Sequence, residues 1–123
     1  MTKKHESEDM IQIRFMNWMR KHAIEDERYG VAHHVPNGGK RGKREASTFK
    51  MMGVVPGIPD VSIPVPNDTY HGLFIEFKTV TGRVSPVQKE IHAKLKSNGY
   101  AVAVCRSHEE AIEVVLKYER NEL

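Results

Sequence analysis

Cysteine and long apolar runs are scarce in this sequence. Cys105 is the single cysteine among 123 residues, which excludes an internal disulfide and a zinc site built on several thiolates. No apolar run approaches the roughly 18 residues that a membrane-spanning helix needs. The first residues also lack the apolar stretch of a secretory signal. We therefore expect a protein of a reducing cytoplasm with no membrane partner.

Positive charge is concentrated in one short segment. The formal net charge is +3, whereas residues 40–50 alone carry five lysines and arginines against one glutamate, a local net charge of +4. The segment follows residues 36–39, Pro-Asn-Gly-Gly, a composition typical of an exposed turn. Two interpretations are open: a solvated surface, or a loop whose backbone and cations bind phosphates.

The pattern of apolar residues predicts a single α/β domain over residues 1–123, with its core at about residues 8–118. The expected order of elements is α-β-(α)-β-β-α-β-α. The predicted helices cover about residues 7–22, 45–52, 85–98 and 107 onward. The predicted strands cover residues 31–35, 60–65, 72–78 and 100–105.

The third predicted helix has a strong start signal. Residues 85–88 read Ser-Pro-Val-Gln, which combines a serine cap, proline at the first position and a glutamine placed for a capping box. Val87, Ile91 and Leu95 recur at helical spacing and predict its buried face. Ser107 predicts a second capping box at the start of the last helix.

Three polar residues stand in or beside apolar strands. Alternation places Glu76 and Lys78 on one face of a strand and Ile75 and Phe77 on the other. Asp60 begins the preceding strand, sixteen positions before Glu76, a separation that suits a hairpin bringing both carboxylates to one end of the sheet. The alternative is the ordinary polar face of an antiparallel edge strand.

Two convergent carboxylates are suited to a hard divalent cation such as Mg²⁺, which leaves positions open for waters and a phosphate. Such an ion would neutralise charge on a phosphodiester transition state and lower the pKa of a bound water. Lys78 could then orient the water and stabilise the developing anion.

These residues resemble a known family. Pro59-Asp60 followed by Glu76-Phe77-Lys78 is similar in order and spacing to the PD-(D/E)xK nuclease signature. Within that superfamily the chain resembles a VRR-NUC domain, the virus-type replication-repair nuclease module. The resembling stretches are residues 8–12, 37–41, 53–60, 72–78 and 85–88.

The resemblance implies a mixed β-sheet flanked by helices, with a restriction-endonuclease-like core. It implies a Mg²⁺-dependent nuclease in which Mn²⁺ can substitute. Asp60 and Glu76 match the metal-binding acids, the carbonyl of Phe77 matches a further ligand, and Lys78 matches the catalytic lysine.

Two further site residues are implied, each with a competing structural role. Glu8 matches an acid on the first helix that completes many such sites, yet it also suits the helix dipole. Asp9 and Glu6 are close enough to take its place. Gln88 matches a site glutamine, and the capping box gives it a compatible structural role.

The resemblance also implies partners. It indicates a homodimer in a bacterial or phage-infected cell that cuts branched DNA such as four-way junctions. The residues expected to bind the nucleic-acid backbone are Asn37, Lys40, Arg41, Lys43 and Arg44. The alternative function is a non-catalytic nucleic-acid-binding module that retains the nuclease fold.

The histidines and the cysteine are interpreted mainly as structural. His33 and His34 are neighbours on a predicted strand and should face opposite ways, so they do not suggest a shared metal ion. His92 follows Gln88 by four residues and could border the cleft, but packing is the favoured interpretation. Cys105 lies in an apolar strand and is predicted to be a buried small hydrophobe.

Overall fold

The computed structural model describes residues 6–36 and 43–123, except for the side chains of residues 43–46. Asn37, Lys40 and Arg41 of the predicted DNA-binding segment therefore lie outside the described residues. For Lys43 and Arg44 only the helical backbone is described.

The observed order of elements confirms the predicted one. A short 3₁₀ helix at Glu27–Val31 precedes the first strand. Within the described residues the elements are α1 Glu8–Glu25, β1 His33–His34, α2 Lys43–Met51, β2 Val61–Ile63, β3 Leu73–Phe77, α3 Pro86–Ser97, β4 Ala101–Cys105 and α4 His108–Glu119.

The four strands form one mixed sheet in the order β1-β2-β3-β4. Strand β2 is antiparallel to both β1 and β3, and β4 runs parallel to β3. Val61 pairs with Ile75, and this register, continued by one residue, places Asp60 opposite Glu76. The predicted mixed sheet flanked by helices is confirmed.

The hydrophobic core lies on one face of the sheet, between β3 and helices α1 and α4. Phe15 of α1 and Phe77 of β3 have ring centroids 5.5 Å apart, and both side chains are fully buried. Ile75 projects to the same side, with Val115 of α4 in the same cluster. Because side chains alternate along β3, Glu76 projects to the other face, toward α3.

Helix starts follow local chemistry closely. Ser7 caps α1 by accepting a hydrogen bond from the Met10 amide. Ser85 and Gln88 form the complete capping box predicted for α3. Ser107 caps α4, but the Glu110 carboxylate accepts from the Arg106 amide, so the second capping box is only partly formed.

Several predicted boundaries are wrong. Helix α1 ends three residues later than predicted, and α2 begins two residues earlier. Strand β1 has two residues because residues 27–31 form the 3₁₀ helix. Strand β2 ends at Ile63, since Pro64 has no amide hydrogen to donate to a strand.

The predicted buried face of α3 is also wrong. Val87 is 50% exposed, and Ile91 and Leu95 are half-buried. The buried side chain of this helix is His92. The helix is therefore rotated so that a polar side chain, and not the valine, faces the sheet.

Candidate active site

Asp60 is held beside β3 by hydrogen bonds at both its side chain and its main chain. The Phe77 amide donates to Asp60 Oδ2 at 2.7 Å. The Val35 amide donates to the Asp60 carbonyl at 2.7 Å, which continues the pairing of β1 with β2. The carboxylate is therefore fixed at the end of the sheet, next to the strand that carries Glu76.

Glu76 is a buried carboxyl in contact with a second one. The residue is only 1% exposed. Burial is the main factor that raises the pKa of Glu76 to about 9, followed by the hydrogen bond to Asp60 and the Asp60 charge; Lys78 opposes the shift. In the absence of a cation, the neutral form of the Glu76 carboxyl is therefore favoured near neutral pH.

Lys78 lies one residue beyond the end of β3 and is only 9% exposed. Its amide donates to the Cys105 carbonyl at 3.0 Å, so the pairing of β3 with β4 fixes the main chain at this position. Alternation places its side chain on the face of Glu76, and its charge stabilises the ionised form of that carboxyl.

Gln88 takes part in the capping box and also contacts Glu76. Its amide oxygen accepts from the Ser85 amide at 2.9 Å, which completes the capping box. Its Nε2 donates to Glu76 Oε2 at 3.4 Å. The first turn of α3 therefore contacts the carboxyl pair directly.

Glu8 lies near this pair without joining it. It is exposed in the first turn of α1, and its charge makes the smallest of the contributions that raise the pKa of Glu76. Glu6 forms an ion pair with Arg14. Among the side chains described, those of residues 6–36 and 47–123, no three His, Cys, Asp or Glu residues form a cluster able to hold a metal ion.

Two histidines border the site; the sequence suggested that His92 could border the cleft, with packing favoured, and gave no indication for His34. His92 is 7% exposed, and its Nε2 lies 3.7 Å from Glu76 Oε1. Burial lowers the pKa of His92, with Lys96 and Lys78 contributing, so the ring is neutral at pH 7. The spacing of four residues between Gln88 and His92 was the sequence feature that indicated a position on the same side of the helix.

The side chain of His34 contacts the main chain of Asp60. Its Nδ1 lies 2.8 Å from the Asp60 carbonyl and 2.9 Å from Gln12 Nε2. The side chains of Gln12 and His34 thus link α1 and β1 to the residue that precedes β2. A strand pattern alone does not reveal this contact, because it depends on how α1 crosses the sheet edge.

The residues at this end of the sheet fit a divalent cation. Glu76 Oε1 is buried and has no hydrogen-bond partner among the described residues. A buried oxygen without a partner, beside a second carboxylate, is unfavourable until a positive charge binds there. The available oxygen donors are the carboxylates of Asp60 and Glu76 and the carbonyl of Phe77.

None of the described helices is both long and apolar enough to cross a membrane.

Comparison with known proteins identifies the fold. A comparison with curated proteins finds no match. A solved structure described as a VRR_NUC domain protein is 32% identical, with a TM-score of 0.82, over 96% of this chain and 92% of that chain. The VRR-NUC domain model matches residues 3–109, and the chain therefore belongs to the VRR-NUC family, with its nuclease-type fold.

Proposed function

We propose that this protein is a Mg²⁺-dependent DNA endonuclease that hydrolyses phosphodiester bonds and prefers branched DNA such as four-way junctions. The observation that carries the proposal is the contact between Asp60 and the buried Glu76, whose pKa is raised to about 9. A buried, ionised carboxylate beside a second carboxylate is unfavourable unless a cation binds there. Membership of a nuclease family supports the same conclusion.

Asp60 and Glu76, with the Phe77 carbonyl, would hold the ion. When bound, Mg²⁺ supplies charge neutralisation at the scissile phosphate and acidifies a coordinated water. The protein supplies the orientation of the ligands: the Phe77 amide fixes one carboxylate and Gln88 contacts the other. Mn²⁺ accepts the same oxygen donors and should substitute.

Lys78 is the proposed catalytic lysine. The residue is only 9% exposed, and strand alternation places its side chain on the same face as Glu76. In this water-poor site, a fixed positive charge stabilises negative charge developing on the phosphate more strongly than in bulk water. Glu8 is the proposed third acid; from the start of α1 its carboxylate adds negative charge to the same end of the sheet.

DNA binding is assigned to the basic segment that includes Asn37, Lys40, Arg41, Lys43 and Arg44, on the strength of its charge alone. A homodimer suits the proposed substrate. One active site cuts one strand, and a four-way junction with two-fold symmetry presents two equivalent strands to two subunits.

Lys78→Ala tests the assignment of the site. We expect cleavage of a labelled four-way junction in Mg²⁺ to slow by about 100-fold or more, which is typical of losing one transition-state donor. Junction binding should be nearly unchanged, because the basic segment is intact. Gel assays of nicking and of binding measure the two effects.

Lys117→Ala is the matched control, since it removes the same charge from an exposed position on α4. Its cleavage rate should equal that of the wild type. Four-way, flap and linear substrates, each tested with Mg²⁺ and with EDTA, establish the preferred DNA shape. A wild-type protein that binds junctions and cuts none of these substrates would instead be the non-catalytic binding module.

A further inference from the structure

His92 occupies a position where a helix facing a sheet normally carries an apolar side chain. It is the buried residue of α3, and its ring faces β3. Val87 on the same helix is 50% exposed, so α3 does not bury its apolar residues as fully as it could. The sequence thus places an imidazole at the helix–sheet contact.

Two buried polar atoms face each other at this contact. His92 Nε2 and Glu76 Oε1 are 3.7 Å apart, and neither has a hydrogen-bond partner among the described residues. Leaving both atoms unpaired in the interior is costly, and a small shift of either side chain would join them. The pair is therefore poised for a hydrogen bond.

The other oxygen of the same carboxyl is also contacted by α3. Gln88 Nε2 donates to Glu76 Oε2 at 3.4 Å. Gln88 and His92 are four residues apart and so lie on the same side of the helix. Helix α3 consequently presents one nitrogen to each oxygen of Glu76.

We propose that His92 is a positioning residue whose Nε2–H donates to Glu76 Oε1 and, with Gln88, fixes the orientation of that carboxylate toward Asp60. In this role the ring acts through Glu76 and not directly on the phosphate or the attacking water. Its consequence for catalysis rests on the proposed function, in which Glu76 holds the metal ion. Substituting a residue that hydrogen-bonds a metal ligand typically lowers metal affinity by about 10–100-fold.

Mn²⁺ binding to the full chain without DNA, measured by titration calorimetry, tests this role. His92→Leu keeps most of the volume and removes the donor, so the dissociation constant should rise at least about tenfold. His92→Gln places an amide nitrogen near the position of Nε2 and should restore the affinity to within about threefold of the wild type. In the cleavage assay, His92→Leu should lower kcat at saturating DNA and leave KM for the junction unchanged.

Ile91→Ala is the matched control for packing. It shortens a half-buried neighbour on the same helix and removes no donor. Its melting temperature should fall while Mn²⁺ affinity stays at the wild-type value, whereas His92→Leu should lose affinity without a comparable loss of stability. Equal Mn²⁺ affinity in His92→Leu and wild type would overturn the proposal, whatever the cleavage rate of the variant.

The hydrogen bond can also be observed without any metal ion. In EDTA, the ¹⁵N resonance of His92 Nε2 should show an attached proton and should shift in Glu76→Gln; a resonance insensitive to that substitution would overturn the contact. If the contact and the drop in affinity are observed but the wild type cuts no DNA, the positioning role stands and the proposed function fails.

Discussion

At Glu76, folding places an ionisable carboxyl where the anion is disfavoured. Burial and the neighbouring Asp60 raise the pKa of Glu76 from 4.5 to about 9, against the opposing charge of Lys78. The three residues were predictable from the sequence because strand alternation and a separation of sixteen positions bring them together. For His92 the spacing from Gln88 indicated only that it could border the cleft, because its burial against Glu76 depends on how α3 is rotated on the sheet.

The raised pKa predicts how the stability of the metal-free protein depends on pH. The unfolded carboxyl releases its proton near pH 4.5 and the folded one near pH 9, so the folded state binds more protons between these values. Its stabilising contribution is complete below about pH 4.5 and is lost as the pH rises through 9. In EDTA, the melting temperature of the wild type should fall across this window.

Glu76→Gln removes the titrating group and should flatten the fall in melting temperature. Glu113→Gln, an exposed carboxyl on α4, is the control and should keep the wild-type dependence. Differential scanning fluorimetry between about pH 5 and pH 9 measures all three proteins. A Glu76→Gln profile parallel to that of the wild type would show that the carboxyl is not buried in the way described.

At the level of elements, the helix starts were more predictable than the strand ends. The caps at Ser7, Ser85 and Ser107 depend on local hydrogen bonds, and the structure contains all three. The extent of β1 depends instead on pairing with β2, a tertiary contact that no short stretch of sequence encodes. The same limitation explains the wrong buried face predicted for α3.

The loop before Asp60 is positioned by close contact with the start of α3. Gly57 has a φ of +87°, and a Cβ at this position would lie 2.9 Å from both the Val87 side chain and its carbonyl oxygen. The absence of a side chain at Gly57 therefore lets the chain that leads into Asp60 pack against the helix that carries Gln88. This contact sets the spacing between two parts of the candidate site.

Gly57→Ala should destabilise the protein through both the backbone strain and the overlap with Val87. Gly53→Ala is a graded control: it has the same strain, with a φ of +99°, but open space around it. Gly53→Ala should cost about 1–2 kcal/mol, and Gly57→Ala more. Gly30→Ala, with no atom within 4 Å, should be nearly neutral. Urea unfolding gives the three values, and equal losses at positions 53 and 57 would contradict the close contact.

At the level of the whole molecule, opposite charges are segregated along the sequence. Residues 108–123 carry five acidic side chains against two basic ones, whereas residues 40–50 carry five basic against one acidic. The net charge of +3 is thus a poor description of what a DNA phosphate encounters. Affinity for DNA should depend on the basic segment far more than on the number of cations in the protein.

The double substitution Lys40→Ala and Arg41→Ala tests this dependence. Removing one cation that neutralises a DNA phosphate should reduce the slope of log affinity against log salt concentration by about 0.9, so the slope should fall by about 1.8 in the double variant. The control removes two cations from the C-terminal region, Lys117 and Arg120, and should leave the slope unchanged. Fluorescence anisotropy with a four-way junction between about 50 and 200 mM salt measures all three proteins. Because phosphate contacts carry no information about sequence, linear duplex should bind the double variant more weakly as well. A similar reduction of slope in both double variants would mean that the DNA responds to overall charge, and that residues 40–50 are an ordinary solvated surface.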